Sequence, residues 1–188
     1  MKSIISITAL LSTLSLFSFN AMASVAYGTP IQVNAGATVN IEKLEIGNEI
    51  LTASEGSTKD NIIAKQIALE FHAGTVSEIT TAFIEYGDNS KLITTLDQAM
   101  LTISGRLVHV SDLVPGQDQL VDASGNAVNI KNIFIGRFQG GVADFAPKSE
   151  YVTENLFLAN GVFLGSFRIN LQLDQDNNME AFKGQVLH

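Results

Sequence analysis

The chain has 188 residues, enough for one globular domain and a short leader. It carries 19 acidic and 11 basic residues, a net charge of −8, and no cysteine. The charge argues against a nucleic-acid partner, because such binding needs Lys and Arg to neutralise phosphates. The lack of cysteine excludes disulfides, thiolate metal sites and thiol nucleophiles. Apolar residues make up 46% of the chain and charged residues 16%, which supports a folded core.

Residues 1–23 have the features of a secretory signal peptide. Lys2 is basic, residues 4–19 are mostly apolar, and residues 21–23 read Ala-Met-Ala, the small-x-small pattern that signal peptidase cleaves after. A transmembrane anchor is the alternative, but Ser and Thr interrupt the apolar stretch and it is shorter than the about 20 residues a spanning helix needs. We therefore predict cleavage after Ala23 and export to the periplasm, the cell surface or the medium.

Residues 24–188 are predicted to form a single β-rich domain. Apolar and polar residues alternate in several short stretches, as at Ala82, Ile84 and Tyr86, and turns rich in Gly, Asn and Asp separate the stretches. Many short strands between such turns are typical of an antiparallel sandwich or barrel. We expect an all-β fold with one or two short helices at most.

Two segments leave the choice between helix and strand open. In residues 58–73, Ile62, Ile63 and Ile67 fit one face of a helix, whereas Ile67, Leu69 and Phe71 alternate as in a strand. In residues 91–104 the apolar residues recur at helical spacing, although Leu101 and Ile103 also alternate.

The C-terminal part is predicted to be a three-stranded antiparallel meander. Asn160-Gly161 lies between two apolar runs and suits a type I′ turn, which needs positive φ at both positions. Residues 162–173 continue as one long alternating strand with a candidate bulge at Gly165, and residues 179–187 return as the third strand.

The histidines offer no local metal pair. His72, His109 and His188 lack the i, i+2 or i, i+4 spacing that brings two imidazoles to one ion. The glycine-rich residues 136–141 are interpreted as a tight turn, with a ligand-contacting loop as the alternative.

The acidic residues 174–178 begin like a calcium loop, with oxygen ligands at alternate positions. Met179 then occupies the position that needs Gly, and Gln185 the position that needs a bidentate Glu. We therefore interpret the segment as a polar turn.

No known catalytic motif carries a mechanism, so we assign no catalytic, cofactor-binding or metal residues and no cofactor. The leading hypothesis is an exported, non-enzymatic surface or extracellular protein in adhesion or assembly, such as a fimbrial or matrix-like subunit. Its partner would be another protein or a second copy of itself. The alternatives are a small-molecule-binding barrel or sandwich and, third, a secreted hydrolase built from dispersed carboxylates.

Overall fold

The computed structural model describes residues 23–184 and 186–187. Short strands dominate the first part: β1 (Val25–Ala26), β2 (Pro30–Asn34), β3 (Ala37–Asn40) and β4 (Glu49–Ala53). The middle contains the long β5 (Ala64–Tyr86), then β6 (Ser90–Thr94), β7 (Ala99–Leu101), β8 (Leu107–His109) and β9 (Gln119–Val121). The rest consists of the long β10 (Ala127–Pro147), β11 (Leu156–Ala159), β12 (Val162–Gly165) and helix α1 (Phe167–Leu173).

The strands form one antiparallel sheet arranged around the two long strands. Its order is β8-β7-β12-β11-β4-β5-β6-β1-β10-β9, and β5 also pairs directly with β10. The β5–β10 ladder runs from Tyr86 opposite Ile130 to Leu69 opposite Pro147. Because β6 and β1 also link β5 to β10, this part of the sheet closes on itself. The closure brings the start of the domain against the end of β10.

The predicted all-β class with few helices is confirmed. The alternation at Ala82, Ile84 and Tyr86 is real, since all three are buried while the residues between them are partly exposed. The two open segments are both resolved in favour of strands: β5 begins at Ala64, and β6 and β7 occupy much of residues 91–104.

The Asn160-Gly161 hairpin is confirmed. Asn160 has φ +46° and Gly161 φ +87°, and β11 pairs with β12 on either side of them. The asparagine is held in this turn because its side-chain amide donates to the Lys91 carbonyl.

The predicted C-terminal meander is wrong. Its long strand stops at Gly165, and Phe167–Leu173 is the helix α1. The alternation misled because Ile169 and Leu173 are four residues apart, a spacing that buries both on one side of a helix as well as on one face of a strand. Beyond the helix, the described residues from 179 onward form turns and two isolated bridges instead of a third strand.

Gly165 is the last residue of β12 and not a bulge. A Cβ atom added there would lie 2.5 Å from Ile169 Cγ2 and 3.0 Å from Ala99 Cβ. Its missing side chain therefore allows α1 to pack directly against the sheet.

Residues 136–141 lie within β10, so both the tight turn and the ligand loop are wrong. The glycines serve packing instead. A Cβ at Gly141 would lie 2.1 Å from the Tyr27 ring, and one at Gly74 would lie 2.5 Å from its hydroxyl. The two glycines thus make room for Tyr27 on the β5–β10 ladder.

Two buried apolar clusters form the core. The first lies around Phe145 and Phe157, whose ring centroids are 4.4 Å apart. The second includes Ile169 and Leu173 of α1 and, from the segment after it, Met179, Ala181 and Leu187. Within the described residues, no helix is long and apolar enough to cross a membrane.

Candidate functional site

Six residues from distant parts of the chain meet where the ends of several strands converge. They are Ser24, Thr95, Gln98, Asp144, Gly165 and Asn170, and we call this group the junction site. It is assembled from the start of β1, the link between β6 and β7, the ends of β10 and β12, and α1.

The Ala23–Ser24 peptide is buried and fixed at the junction site. Ala23 and Ser24 are each 6% exposed. The Ser24 N–H donates to Thr95 Oγ1 over 2.8 Å, and the Thr95 N–H donates to the Ser24 carbonyl over 2.9 Å. A residue that bears a hydroxyl is therefore held next to a peptide bond shielded from solvent.

Asp144 lies on the neighbouring strand, next to the end of its pairing with β1. The last pair of that ladder is Val25 with Ala143, and Ser24 and Asp144 are the residues adjacent to this pair on the two strands. If the antiparallel register continues by one residue, the two side chains project to the same face of the sheet. Asp144 is thus the ionisable residue of β10 next to the pair that precedes Ser24.

The environment of Asp144 favours its protonated form. The residue is 1% exposed, and this burial raises its pKa well above the ordinary value, with the charge of Asp97 raising it further. The Phe145 N–H, 2.7 Å from Oδ1, and the Asn170 amide, 3.2 Å from Oδ2, offset this only in part. The carboxyl can therefore serve as a proton donor at pH values where an exposed aspartate is ionised.

Gln98 is fully buried, and its side-chain amide is directed at the Gly165 carbonyl. Its Nε2 donates to the Gly165 carbonyl over 2.7 Å and to the Ala99 carbonyl over 3.1 Å. Its Oε1 has no hydrogen-bond partner among the described residues. An unpaired buried acceptor is costly and often marks a functional position.

The Gly165–Ser166 peptide is fixed by hydrogen bonds, as is the Ala23–Ser24 peptide. Ser166 donates to Asn155 twice, from its hydroxyl to Oδ1 over 2.7 Å and from its N–H to the carbonyl over 2.9 Å. Asn155 in turn donates to the carbonyls of Ser149 and Tyr151. Two peptide bonds far apart in sequence are therefore fixed at one buried site.

The histidines suggested by the sequence lie elsewhere. His72 Nε2 is 3.0 Å from the Ile41 carbonyl, and His109 lies 2.7 Å from the Asp97 carbonyl and 3.5 Å from Asp174. His188 is outside the described residues. No group of three potential metal ligands occurs among the residues the structure describes. The 174–178 segment is an exposed turn in which the Asn178 N–H donates to Asp176.

The sequence predicted a site role for none of the six residues. Ser24 is only the residue after the predicted cleavage, and Gly165 only a candidate bulge. Asp144 alone carried a local signal, since it is a single polar residue in the apolar run Val-Ala-Asp-Phe-Ala. The convergence of the six residues depends on contacts between residues far apart in the chain, such as the hydrogen bond from Ser24 to Thr95 and the pairing of Val25 with Ala143.

No protein-family model and no curated protein matches the chain. Solved structures do match. A bacterial intein-like domain from Clostridium thermocellum is 17% identical, with 78% of this chain and 100% of that one covered and a TM-score of 0.66. The Ssp DnaB mini-intein variant M86 is 16% identical, with 77% and 93% covered and a TM-score of 0.62. A DnaB intein from Synechocystis is 15% identical, with 77% and 98% covered and a TM-score of 0.60.

The predicted role in adhesion or assembly is wrong, because the strong structural matches are to intein domains. The two alternatives, a small-molecule-binding barrel or sandwich and a secreted hydrolase, fail for the same reason. The matches also give no support to a signal peptide or a surface location. Residues 1–22 lie outside the described part, and export stays a prediction. At these low identities the likeness establishes the fold alone: the chain has an intein-like fold.

Proposed function

We propose that the chain is a self-processing domain that cleaves its own Ala23–Ser24 peptide bond. The observation that carries this proposal is the buried Ala23–Ser24 peptide, hydrogen-bonded to Thr95 and next to the β1–β10 pairing whose second strand carries Asp144, a carboxyl with a pKa raised by burial. The names of the matched proteins support it, because they are inteins, which are self-splicing segments.

The first step is an acyl shift within the chain. The Ser24 hydroxyl oxygen attacks the Ala23 carbonyl carbon, and the C–N bond of that peptide then breaks. The products are an ester between Ala23 and the Ser24 oxygen and a free amino group on Ser24. The proton lost by the hydroxyl equals the one gained by the nitrogen, so the step balances. Water then hydrolyses the ester and releases residues 1–23.

Asp144 acts as the proton carrier of this step. An amide nitrogen leaves only when it is protonated, and a buried carboxyl that keeps its proton at pH values where an exposed aspartate is ionised can supply that proton. It recovers a proton from the Ser24 hydroxyl, which ends the step in its starting form. Thr95 holds the peptide during the reaction through its two contacts with the Ser24 backbone.

We infer that the C-terminal segment stays packed on the domain. Release of the segment after Gly165 would expose five buried apolar residues of the second core cluster. These are Ile169, Leu173, Met179, Ala181 and Leu187. Full burial of a large apolar side chain is worth about 1.5 to 3 kcal/mol, so the segment would remain bound.

The proposal is tested by synthesis of the full chain in a membrane-free extract, followed by intact-mass analysis over time. The expected product starts at Ser24. Ser24→Ala should abolish its formation, Ser24→Cys should preserve it, and the exposed Ser111→Ala is the matched control. No cleavage of the native chain, or equal cleavage of Ser24→Ala, would refute self-processing.

The design also separates self-processing from the predicted signal peptidase site, which is the same bond. Signal peptidase needs the small residues Ala21 and Ala23 and a membrane, but not the Ser24 hydroxyl. Cleavage of Ser24→Ala only after membranes are added would assign that product to the peptidase.

A further inference from the structure

We propose that Asn170 is a positioning residue that orients Asp144, which makes helix α1 a working part of the junction site. The inference rests on the proposed function, because it assigns Asn170 a role in that reaction. Asn170 is 3% exposed and points from α1 into the space between β7 and β10.

Both ends of the Asn170 amide are used, and only one orientation satisfies them. Its Oδ1 accepts from the Ala99 N–H over 2.9 Å, and its Nδ2 donates to Asp144 Oδ2 over 3.2 Å. A flipped amide would face the Ala99 N–H with its own donor. The Ala99 backbone therefore fixes the donor toward Asp144.

The same amide couples Asp144 to Gln98. Gln98 Nε2 lies 3.4 Å from Asn170 Oδ1 while it also donates to the Gly165 carbonyl. Asn170 thus contacts both Asp144 and Gln98, and Gln98 in turn donates to the carbonyl of the Gly165–Ser166 peptide. A side chain that merely filled space would make none of these directed contacts.

The position of α1 is fixed by close packing. Ile169 and Leu173 are buried in the second core cluster on either side of Asn170. The helix approaches the sheet at Gly165, where any Cβ would collide with Ile169. The close packing of α1 therefore holds Asn170 in position next to Asp144.

The charged surroundings of Asp144 are simple. Asp97, in the link between β6 and β7, raises the pKa of Asp144, and burial raises it more. The hydrogen bonds from Phe145, Phe167 and Asn170 lower it. His109 Nδ1 lies 2.7 Å from the Asp97 carbonyl. Loss of the Asn170 donor should therefore raise the pKa of Asp144 further.

The test measures Asp144 itself in the full chain, with Ser24→Ala in every sample so that no cleavage occurs. Carboxyl carbon NMR follows the titration of Asp144. Asn170→Ala should raise its pKa, because the variant removes a donor that stabilises the ionised carboxylate. The exposed Asn177→Ala is the control and should leave it unchanged.

A second variant guards against misfolding. Asn170→Asp keeps the shape and the acceptor for the Ala99 N–H but replaces the amide donor by a carboxyl oxygen, so it should raise the Asp144 pKa at least as much. In the chain with native Ser24, both variants should shift the pH profile of cleavage to higher pH. An unchanged Asp144 titration in a folded Asn170→Asp chain overturns the inference. A shifted titration in a chain whose native form does not cleave supports the positioning role and refutes the proposed reaction instead.

Discussion

Replacing Asp144 with asparagine should change how stability depends on pH. Asp144 has a folded-state pKa raised well above 3.8 by burial, whereas in the unfolded chain it titrates near that value. Between these two pKa values the folded state binds one more proton than the unfolded state. The contribution of Asp144 to folding stability is therefore fully present below the unfolded pKa and is lost as the pH rises toward the folded one.

The size of this pH dependence follows from the one extra proton that the folded state binds. Over that window the free energy of unfolding should fall by up to about 1.4 kcal/mol per pH unit because of Asp144 alone. An asparagine at this position would be neutral in both states, so Asp144→Asn removes this contribution and leaves those of all other groups. The informative quantity is the difference between native and variant chains, since carboxyls with lowered pKa values, such as Glu42 and Glu85, change stability in the opposite direction.

The assay is urea unfolding at several pH values from acid to neutral, in full chains that carry Ser24→Ala. The variant should gain stability relative to the reference as the pH rises. Asp88→Asn, at an exposed turn position, is the matched control and should give a flat difference. A flat difference for Asp144→Asn as well would show that Asp144 does not have a raised pKa, and would remove the proton donor from the proposed mechanism.

Three further changes test the fold by thermal or urea unfolding. Gly161→Val should cost about 1 to 3 kcal/mol, because a β-branched residue is strained at φ +87°. Gly141→Ala should cost about 1 to 3 kcal/mol, since the new Cβ would lie 2.1 Å from the Tyr27 ring. Tyr86→Phe should cost about 1 kcal/mol, because it removes a 2.8 Å hydrogen bond to the Asn160 carbonyl, and it should abolish the tyrosine titration whose pKa burial raises to about 12.

Gly36→Ala is the matched control for the glycine changes, because nothing lies within 4 Å of a Cβ there. If Gly141→Ala were as stable as Gly36→Ala, the close contact between the Tyr27 ring and Gly141 would be contradicted. An unchanged melting temperature in Gly161→Val would contradict the turn at residues 160–161.

The sequence predicted those features that depend on neighbours along the chain. The type I′ turn follows from the φ that Asn and Gly tolerate, and the alternation at Ala82, Ile84 and Tyr86 follows from a strand with one buried face. The error at α1 arose because apolar residues spaced two and four apart in a seven-residue segment fit a strand as well as a helix. The close packing of the segment at Gly165 and Ala99 is satisfied by the helix.

The junction site could not be predicted because its parts meet only through the sheet. Ser24 comes to Asp144 through the pairing of β1 with β10, and Gln98 comes to Gly165 across 67 residues. No local pattern encodes either approach. The one usable local signal was the single polar residue in an apolar run, which marks Asp144 but neither Gln98, next to Asp97, nor Asn170, in an alternating segment.

The most direct test of the central claim is chemical trapping of the ester. The full chain is synthesised without membranes in the presence of hydroxylamine, and the released residues 1–23 are weighed by mass spectrometry. We expect a hydroxamic acid at Ala23, because hydroxylamine attacks an ester far faster than an amide, and we expect none from Ser24→Ala. Release of residues 1–23 only as the free carboxylic acid, equally from both chains, would contradict an acyl shift through Ser24.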